Sequence, residues 1–486
     1  MPLQNVTHDA PQSTPPVDDA PLEADYLVIG TGATAMSFVD TLLDQQPDAT
    51  VLMVDRLHRP GGHWNHAYPW VRVHQPSAWY GVASRELASG EKDKTGLNAG
   101  LYSMASGAEV LAHFEQVMLQ RFLPSGRVRW MPMTDYQADP DSTHRVTSLV
   151  SGQAQTVRVR RKVVDGTHAR TEVPATHAPR YTVAPGVACI PINGLAALDR
   201  PYTHYTVVGS GKTGIDACLW LLDHGVAPSC IRWIMPRDPW FMDRANLQPG
   251  LENFERNMGY SLNQFGAISD AASPADVFAR LEAKGALLRL DPAVEPSTYR
   301  CCTISRGELA LLRQIADVVR LGRLRAIEPT RIVLDRGALP RDPDTLTIDC
   351  SASAIQPPPG LPVFDGLRIN LFMLRTCQPL FSAALIAFVE SQVEGDAERN
   401  ALCAVVPSPE VPQDWLRMWA VTLTNGARWR KHPALNAWLT QCRLNGQAVM
   451  ARGVTPEDSA RMALLRETGK KAGEAAARLP ALLAML

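Results

Sequence analysis

The chain has 486 residues, of which 45% are hydrophobic and 20% are charged, as in an ordinary globular protein with a large core. Its length suits two or three domains of roughly 150 residues each. The formal net charge of -1 gives no reason to expect nucleic acid or an anionic membrane as the main partner.

The beginning of the chain, residues 1–21, is rich in Pro, Asp, Gln and Thr and predicts a disordered tail. It has neither a basic segment nor an apolar segment of the kind found in secretory signals. No run approaches the roughly 18 apolar residues of a membrane span. These features predict a cytoplasmic protein.

Nine cysteines are scattered along the chain, an odd number that argues against a disulfide framework and for a reducing compartment. There is no CxxC motif. Cys301 and Cys302 are adjacent, and neighbouring cysteines rarely form a relaxed disulfide. We therefore expect no structural role for cystine.

A βαβ unit is the first folded element that the sequence predicts. The apolar run Ala24–Gly30 is typical of a buried parallel strand, Ala33–Leu43 has helical apolar spacing, and Thr50–Asp55 predicts a second strand. Between the strand and the helix lies a GxGxxA fingerprint of dinucleotide-binding loops, formed by Gly30, Thr31, Gly32, Ala33, Thr34 and Ala35.

Each residue type in this fingerprint has a physical role. Gly30 permits the tight turn, Gly32 lets the backbone approach a pyrophosphate, and Ala35 is small enough for the helix to pack on the strand. Asp55 ends the second strand, where a carboxylate can accept hydrogen bonds from ribose hydroxyls. A glycine turn without a ligand is the alternative, and the strand, helix and acid around the motif argue against it.

A second βαβ unit repeats the pattern. It comprises Tyr205–Gly209, Lys212–Leu222 and Ile231–Met235, and its glycine loop consists of Gly209, Ser210, Gly211, Lys212, Thr213 and Gly214. Arg237 follows the second strand and could hold a 2′-phosphate, which favours NADPH. Asp238 next to it would favour NADH if it faced the ribose instead.

The remaining segments complete an α/β chain with a helical C-terminal region. Helices are predicted at Ala108–Leu119, Ser273–Lys284, Arg306–Val319, Leu380–Gln392 and several places beyond Gln413, and strands at Arg161–Asp165, Thr330–Asp335 and Thr345–Cys350. The predicted organisation is an FAD-binding domain over 22–200 that resumes at 341–395, an NADPH-binding domain with a helical insertion over 201–340, and a helical region over 396–486.

Several motifs resemble those of the class B flavoprotein monooxygenases, the flavin-containing and Baeyer–Villiger monooxygenases. They are Gly61-Gly62-His63-Trp64 after Asp55-Arg56, Tyr68–His74 with Ser77 and Tyr80 beyond, Val164–Thr167 with Val173-Pro174, and Ile348–Ser353. The resemblance spans roughly residues 24 to 394. It implies two Rossmann-like domains that bind FAD and NADPH, and it places Arg56, Gly62, His63 and Trp64 beside the flavin.

Departures from the family pattern concern the reaction. The F-x-G-x-x-x-H signature is missing before the second glycine loop. In the stretch that resembles Y-P-G-A-R-C-D, Trp70 replaces the glycine and His74 replaces the aspartate that Baeyer–Villiger enzymes use with an arginine. Baeyer–Villiger chemistry is therefore disfavoured, while oxygenation in general is not excluded.

Candidates for chemistry come from the segment His63–Tyr80, which is dense in Trp, His and Tyr. His74 is predicted to handle protons because histidine titrates near neutral pH, with a structural histidine as the alternative. Gln75 and Ser77 are expected to hydrogen-bond the flavin, and Arg72 to pair with a phosphate or a carboxylate.

Other candidates lie outside that segment. Gln378 begins a helix whose N–H groups could face the flavin's pyrimidine carbonyl. Trp240, Phe241 and Arg244 either edge a substrate channel or, more simply, pack. The C-terminal tryptophans are expected to be core residues, with a substrate lid as the alternative.

The sequence thus predicts an NADPH- and O2-dependent FAD monooxygenase that acts on a small organic molecule through a flavin C4a-(hydro)peroxide. The alternatives are an NAD(P)H-dependent flavin reductase or oxidase without oxygen insertion, and a catalytically quiet redox sensor. No metal, nucleic acid or membrane is expected, and a homodimer is left open.

Overall fold

The computed structural model describes residues 20–87, 89–138, 143–168, 171–352 and 360–486. Nearly all of the predicted tail, and Ser353 of the motif Ile348–Ser353, lie outside the described residues. The fold is α/β, with two Rossmann-like units and a helical C-terminal region, as the sequence predicts.

The bounds of the regular elements follow in chain order. The strands are β1 (Leu22–Ile29), β2 (Val51–Val54), β3 (Gly81–Val82), β4 (Arg85–Glu86), β5 (Val128–Met131), β6 (Thr134–Ala138), β7 (His144–Ser148), β8 (Ala154–Asp165), β9 (Thr182–Val183), β10 (Cys189–Pro191), β11 (His204–Val208), β12 (Ile231–Ile234), β13 (Pro239–Asp243), β14 (Leu287–Leu288), β15 (Thr298–Ile304), β16 (Asp317–Val319), β17 (Leu324–Ile327), β18 (Arg331–Leu334), β19 (Gly337–Pro340), β20 (Thr345–Asp349), β21 (Phe364–Asp365) and β22 (Arg368–Asn370). The α-helices are α1 (Ala33–Gln45), α2 (Gly107–Val117), α3 (Lys212–Asp223), α4 (Phe254–Ser269), α5 (Pro274–Ala283), α6 (Arg306–Leu312), α7 (Pro379–Gln392), α8 (Asp396–Leu402), α9 (Pro412–Lys431), α10 (Pro433–Gln441), α11 (Gly446–Arg452) and α12 (Ser459–Leu483).

The first sheet has the strand order β21-β22-β8-β1-β2-β5, and β6 and β7 form a hairpin that extends from β8. Strands β22, β8, β1, β2 and β5 run parallel. Ile29 is in register with both Val54 and Asp165, so the carboxyl ends of three strands meet at one edge. A ligand of an open parallel sheet binds at such an edge.

The second sheet is wholly parallel, with the order β10-β20-β11-β12-β16. Val208 is in register with Ile234 and with Asp349, which repeats the arrangement of the first sheet. The chain therefore contains two similar strand edges, each followed by a glycine loop and a helix.

A separate hydrophobic cluster lies outside the two large sheets. It joins the small sheet β14-β13-β15 to helices α4, α5, α9 and α12. Trp240 and Trp415 are fully buried in it. Helices α4, α9 and α12 contribute wall residues to the site described below.

The predicted helix Arg306–Val319 is wrong in its second half. A Ser305 capping box begins helix α6, but the helix ends at Leu312, and Asp317–Val319 pairs in parallel with β12. Pairing at the edge of the sheet satisfies the backbone groups of this segment, so tertiary context overrides local helical spacing. Helix α4 has no counterpart among the predicted elements. None of the described helices is both long enough and apolar enough to cross a membrane.

Candidate functional site

The first glycine loop forms a backbone cradle, which we call the first cradle (Gly30, Gly32 and Gly62). Gly30 has a φ of 86°, a left-handed conformation that favours glycine. Gly32 precedes helix α1 in an extended conformation, and no side chain caps the helix. A Cβ built on Gly62 would lie 3.0 Å from the Cα of Gly32, so the two glycines allow a close approach. The open amide groups at the start of α1 suit a phosphate.

Asp55 lies beside this cradle and is held in one orientation. Its Oδ2 accepts hydrogen bonds from the backbone N of Thr31 at 2.6 Å and from the Thr31 hydroxyl at 2.7 Å. Its Oδ1 accepts one from the backbone N of Leu57 at 2.8 Å. The carboxylate therefore braces the loop, and its remaining lone pairs face the cavity that it lines.

Ala35 supports the cradle from behind rather than by touching a ligand. It is fully buried, and a Cβ built on Gly166 would lie 2.8 Å from the Cβ of Ala35. Helix α1 thus packs closely against the end of strand β8, as the small residue in the fingerprint predicts.

A large cavity of about 2250 Å³ opens from the first cradle, and we call it the central cavity. Of the predicted site residues, it is lined by Gly30, Gly32, Ala33, Asp55, Arg56, Gly62, His63, Trp64, His74, Gln75 and Gln378. The described residues of its wall do not include Ala35, Arg72, Ser77, Arg237 or any residue of 209–214. The structure therefore brings most of the predicted flavin site together and leaves the second glycine loop outside it.

Aromatic residues form one side of the cavity near the first cradle. The indole N–H of Trp64 donates to the Tyr80 hydroxyl at 2.8 Å, and the His63 ring stacks on Trp64 with centroids 5.4 Å apart. Burial, and then the neighbouring His66, lower the pKa of His63 to about 4. The uncharged form of His63 is therefore favoured near neutral pH, and the hydrogen bond to Tyr80 fixes the Trp64 ring.

His74 lines the cavity, as the prediction of a proton-handling group requires. Burial, and then the positive charges of Lys212 and Arg244, hold the pKa of His74 well below its usual range and so favour the uncharged ring. The backbone oxygen of His74 accepts hydrogen bonds from Thr303 and Arg244, which fixes its position.

Two other predicted residues of this segment make hydrogen bonds within the protein. Arg72 is exposed, donates to the backbone oxygen of Met104 at 2.7 Å and is not among the residues that line the cavity. The Ser77 hydroxyl donates to Ser103 at 3.0 Å and accepts from the backbone N of Ala105 at 2.7 Å. Its hydrogen bonds are used within the protein.

The second glycine loop forms a second cradle (Gly209, Gly211 and Gly214). Gly209 has a φ of 124°, and a Cβ on Gly214 would lie 2.1 Å from the Gly209 carbonyl oxygen. Gly211 precedes helix α3, which no side chain caps, and a Cβ built on it would meet nothing within 4 Å. The loop thus offers open backbone amides to a ligand.

Lys212 does not supply free positive charge to the second cradle. Its ammonium group forms an ion pair with Asp216 one turn along α3. The Tyr68 hydroxyl donates to the same carboxylate at 2.5 Å, and Trp70 stacks on Trp220 with centroids 4.9 Å apart. These contacts join the segment His63–Tyr80 to α3 and fix the second unit against the central cavity.

Charges beyond strand β12 clarify the choice between Arg237 and Asp238. Arg237 lies 3.1 Å from Glu410, an exposed residue that also lies 3.6 Å from Arg300. Burial, and then the Arg237 charge, lower the pKa of Arg300. Asp238 is buried and held by Arg320, so it is not free to bind a ribose. Arg237 and Arg300 therefore share the single exposed carboxylate of Glu410, which leaves a net positive charge at this place.

Arg375 is a cation of the cavity wall that the sequence analysis missed. It stacks on Phe381 at 4.0 Å and on Trp429 at 5.2 Å, and it donates to Asn445 at 2.8 Å. Burial lowers its pKa to about 10, so it remains charged near neutral pH. In the sequence, only the position of Arg375 directly before Thr376–Pro379, the segment that leads into helix α7, could have suggested this role.

Gln378 lies three residues beyond Arg375, at the beginning of helix α7. No side chain caps this helix, and Gln378, Pro379, Leu380 and Phe381 all line the cavity. The helix N-terminus and the Arg375 guanidinium therefore present positive potential to the same region, which suits an anion or an electron-rich ring edge.

Apolar residues of β13, α4, α9 and α12 form one part of the wall, which we call the apolar chamber (Met242, Tyr260, Phe265, Trp419, Leu423 and Ala472). The polar residues Asn257, Ser261 and Gln264 of α4 also line the cavity. Trp240 and Phe241 are fully buried and pack in the core, while Arg244 is buried in an ion pair with Glu308. These three residues therefore pack rather than edge a channel. Among the C-terminal tryptophans, Trp419 and Trp429 line the cavity and Trp415 is a core residue.

Two of the nine cysteines are joined, contrary to the expectation of unpaired thiols. Cys301 and Cys377 form a disulfide across a sequence separation of 76 residues, and both line the cavity. A pair so far apart in sequence has no spacing signature.

Comparisons with known proteins add relatives and a shared fold. No protein-family model matches the chain. Uncharacterized protein Rv2000 of Mycobacterium tuberculosis is 45% identical over 465 residues, which are 95% of this chain and 85% of that protein. Uncharacterized protein Mb2023 of Mycobacterium bovis has the same identity and coverage. The structure of an oxidized steroid monooxygenase bound to NADP matches with a TM-score of 0.51 at 14% identity, over 93% of this chain and 98% of that one.

Proposed function

Since the chain belongs to the same family as the mycobacterial protein Rv2000 and has the fold of the class B flavoprotein monooxygenases, we propose that it is an FAD-dependent, NADPH-using monooxygenase. Its substrate would be a small organic molecule, and O2 the second substrate. FAD, when bound, would supply oxygen activation through its C4a-(hydro)peroxide.

The central cavity is the observation that carries this proposal. Pockets for small ligands commonly measure about 300–1,000 Å³, and this one measures about 2250 Å³. It begins at the first cradle and ends in an apolar chamber, so it has room for a flavin and for a second molecule beside it. A protein that only stored a flavin would not need that chamber.

The residues of the first cradle fit the adenine-dinucleotide half of FAD. Gly32 and Gly62 leave space for a pyrophosphate at the start of α1, and Asp55 would accept hydrogen bonds from a ribose. Arg375 and the beginning of α7 would face the pyrimidine edge of the ring, where positive charge stabilises the reduced, anionic form.

The remaining wall residues would hold hydrogen bonds in place. The pKa of His63 and the pKa of His74 both lie below the usual range of histidine, which favours the uncharged rings. Trp64 is hydrogen-bonded to Tyr80. Uncharged, hydrogen-bonded side chains of this kind would suit a water-sensitive step.

For the nicotinamide cofactor, the second cradle and Arg237 support NADPH. The 2′-phosphate would displace Glu410 from the unbalanced pair Arg237 and Arg300. Asp238, which would favour NADH, is held by Arg320. Because the second cradle lies outside the central cavity, the nicotinamide would have to reach the flavin past Tyr68 and Trp70.

Stopped-flow spectroscopy of the purified holoprotein tests this function. We expect NADPH to bleach the flavin, and O2 then to give a long-lived peroxide band before oxidised flavin returns. Immediate return to oxidised flavin would instead establish an oxidase, and failure of NADPH to reduce a bound flavin would establish the quiet sensor.

A glycine variant tests whether the first cradle holds the flavin. In Gly32→Ala the added Cβ meets no atom closer than 3.8 Å, and the φ of -68° is ordinary, so the protein should fold. The methyl group would point at the pyrophosphate, and we expect colourless protein with unchanged far-UV circular dichroism. Retention of flavin at the wild-type level would remove the first cradle from the proposal.

A further inference from the structure

The disulfide Cys301–Cys377 joins strand β15 to the segment that leads into helix α7. Cys301 lies on strand β15, which belongs to the small sheet after the second unit. Cys377 directly precedes Gln378 at the beginning of helix α7, which packs on helix α1 of the first unit. The Cα atoms are 6.0 Å apart, within the usual range for a disulfide.

Both cysteines of the disulfide line the central cavity, and both are partly exposed. Among the free cysteines, Cys403 also lines the cavity, but it is buried. The two partly exposed free cysteines, Cys189 and Cys230, are not among the described residues that line the cavity. A reagent small enough to enter the cavity would therefore meet this pair first.

The same two residues also have an unusual backbone conformation. Cys301 has a φ of 56° and Cys377 a φ of 58°, and the only other described non-glycine residue with a positive φ is Met133. Left-handed backbone at a residue with a side chain is costly and persists where the surroundings impose it, commonly at functional sites. The adjacent Cys302 is buried, and burial raises its pKa to about 12, so it stays a thiol and does not compete.

We propose that the Cys301–Cys377 disulfide is a thiol-exchange site: a low-molecular-weight thiol that enters the central cavity reduces the bond and loosens strand β15 from the beginning of helix α7. This activity does not depend on the proposed oxygenation. The Tyr299 hydroxyl, which donates a hydrogen bond to Sδ of Met242 at 3.4 Å, also lies 3.9 Å from Sγ of Cys377 and could turn to donate to a thiolate there. Burial holds the pKa of Tyr299 well above its usual range, so the hydroxyl keeps its proton.

The exchange is balanced in atoms and electrons. The thiolate of the first small thiol attacks Sγ of Cys301, the Cys301–Cys377 bond breaks, and Cys377 leaves as a thiolate that accepts a hydrogen bond from Tyr299. A second small thiol then attacks the mixed disulfide on Cys301 and releases the oxidised small-molecule disulfide. Two thiols are oxidised, and the protein disulfide is reduced to two thiols.

Mass spectrometry of the intact holoprotein tests the exchange without any turnover. The air-equilibrated protein is incubated with graded dithiothreitol or glutathione under native conditions, alkylated with N-ethylmaleimide and digested. We expect a linked peptide that contains Cys301 and Cys377, and its conversion to two alkylated peptides while far-UV circular dichroism is unchanged. Cys218 and Cys350, both buried, should stay unalkylated and serve as internal controls.

Two results would overturn the proposal. One is recovery of Cys301 and Cys377 as free thiols from air-equilibrated protein. The other is a linked peptide that resists both thiols until the circular dichroism signal is lost.

A single-cysteine variant gives a second measurement. In Cys377→Ser, oxidised glutathione should add one glutathione to Cys301, and in the control Cys230→Ser the native linked peptide should persist. Backbone hydrogen exchange of Thr298–Ile304 should rise about threefold or more on reduction, while that of Ala33–Gln45 stays constant. Equal hydrogen exchange of Thr298–Ile304 in the oxidised and reduced proteins would contradict the loosening of strand β15.

Discussion

Arg320 binds Asp238 through two of its nitrogens: Nε donates to the carboxylate oxygens at 2.9 and 3.1 Å, and Nη2 donates at 3.0 Å. A planar guanidinium suits this two-point contact. The acid that would otherwise discriminate against a 2′-phosphate is thereby engaged, and in the proposed NADPH site Arg237 would be the group that faces the ribose. The proposed preference for NADPH thus depends on an ion pair that the two dinucleotide motifs do not reveal.

For Arg237→Ala we expect the KM for NADPH to rise about tenfold, because a charge-assisted hydrogen bond contributes about 1.5 kcal/mol. The KM for NADH should not change, since NADH has no 2′-phosphate. Steady-state NAD(P)H oxidation measures both. Arg158→Ala, which removes an exposed arginine of the first sheet, is the control. Equal rises for NADPH and NADH would show that Arg237 only shapes the loop.

The second cradle can be tested through Gly211. Its backbone φ of -82° is ordinary, and a Cβ there would meet nothing within 4 Å, so Gly211→Ala should fold normally. If a pyrophosphate crosses this glycine, the methyl group will block it, and we expect NADPH binding by isothermal titration to weaken at least about tenfold, or about 1.4 kcal/mol. Flavin content should stay at the wild-type level. Unchanged NADPH binding would exclude this loop as the phosphate site.

Local patterns made both cradles predictable, and the long-range contacts were not. Gly30 and Gly209 each lie between an apolar strand and a helix, so the sequence carries all of the information about the turn. Arg375 is held in place by Trp429 of helix α9 and by Asn445, which directly precedes helix α11, and both lie far from it in sequence. The neutrality of His74 arises from burial beside Lys212, across domains, and no neighbour in sequence indicates it.

Arg375 provides a test of the flavin environment. In Arg375→Met the stack between Phe381 and Trp429 is largely kept, while the positive charge is lost. We expect the two-electron midpoint potential of the bound flavin to fall by about 30 mV, equivalent to about 1.4 kcal/mol, because the reduced anion loses a nearby cation. A spectroscopic reductive titration measures the potential. Arg375→Lys should restore much of it, and a potential that is the same in all three proteins would contradict the assignment.

Because the hydrogen bonds of Ser77 lie within the protein, we expect its removal to affect folding and to leave flavin binding unchanged. Ser77→Ala removes the bond to Ser103 and leaves the buried backbone N of Ala105 without its acceptor. We expect the free energy of unfolding in urea to fall by about 2 kcal/mol, with the FAD dissociation constant within about twofold of wild type. Ser89→Ala, at an exposed hydroxyl, is the control. Weaker FAD binding with unchanged stability would restore the original prediction for Ser77.

Asp25 links the beginnings of strands β1 and β2 and gives the first sheet a defined acid sensitivity. Its carboxylate accepts hydrogen bonds from Arg160 at 3.0 and 3.2 Å and from the backbone N of Thr50 at 2.8 Å. The Arg160 contact is the main cause that lowers its pKa from 3.8 to about 2. Because the pKa is lower in the folded state, the stabilisation is present above about pH 4 and is lost as the pH falls towards 2.

The comparison of wild type with Asp25→Asn isolates this contribution. Arg160 is half exposed, so screening by solvent reduces the expected difference in unfolding free energy at pH 6 to about 1 kcal/mol. The difference should shrink steadily between pH 4 and 2, as measured by urea unfolding at each pH. Asp48→Asn, at an exposed carboxylate, should show no such trend. A wild-type advantage that persists undiminished at pH 2 would mean that Asp25 acts through packing and not through its charge, since at that pH a protonated carboxyl and an amide offer the arginine similar neutral partners.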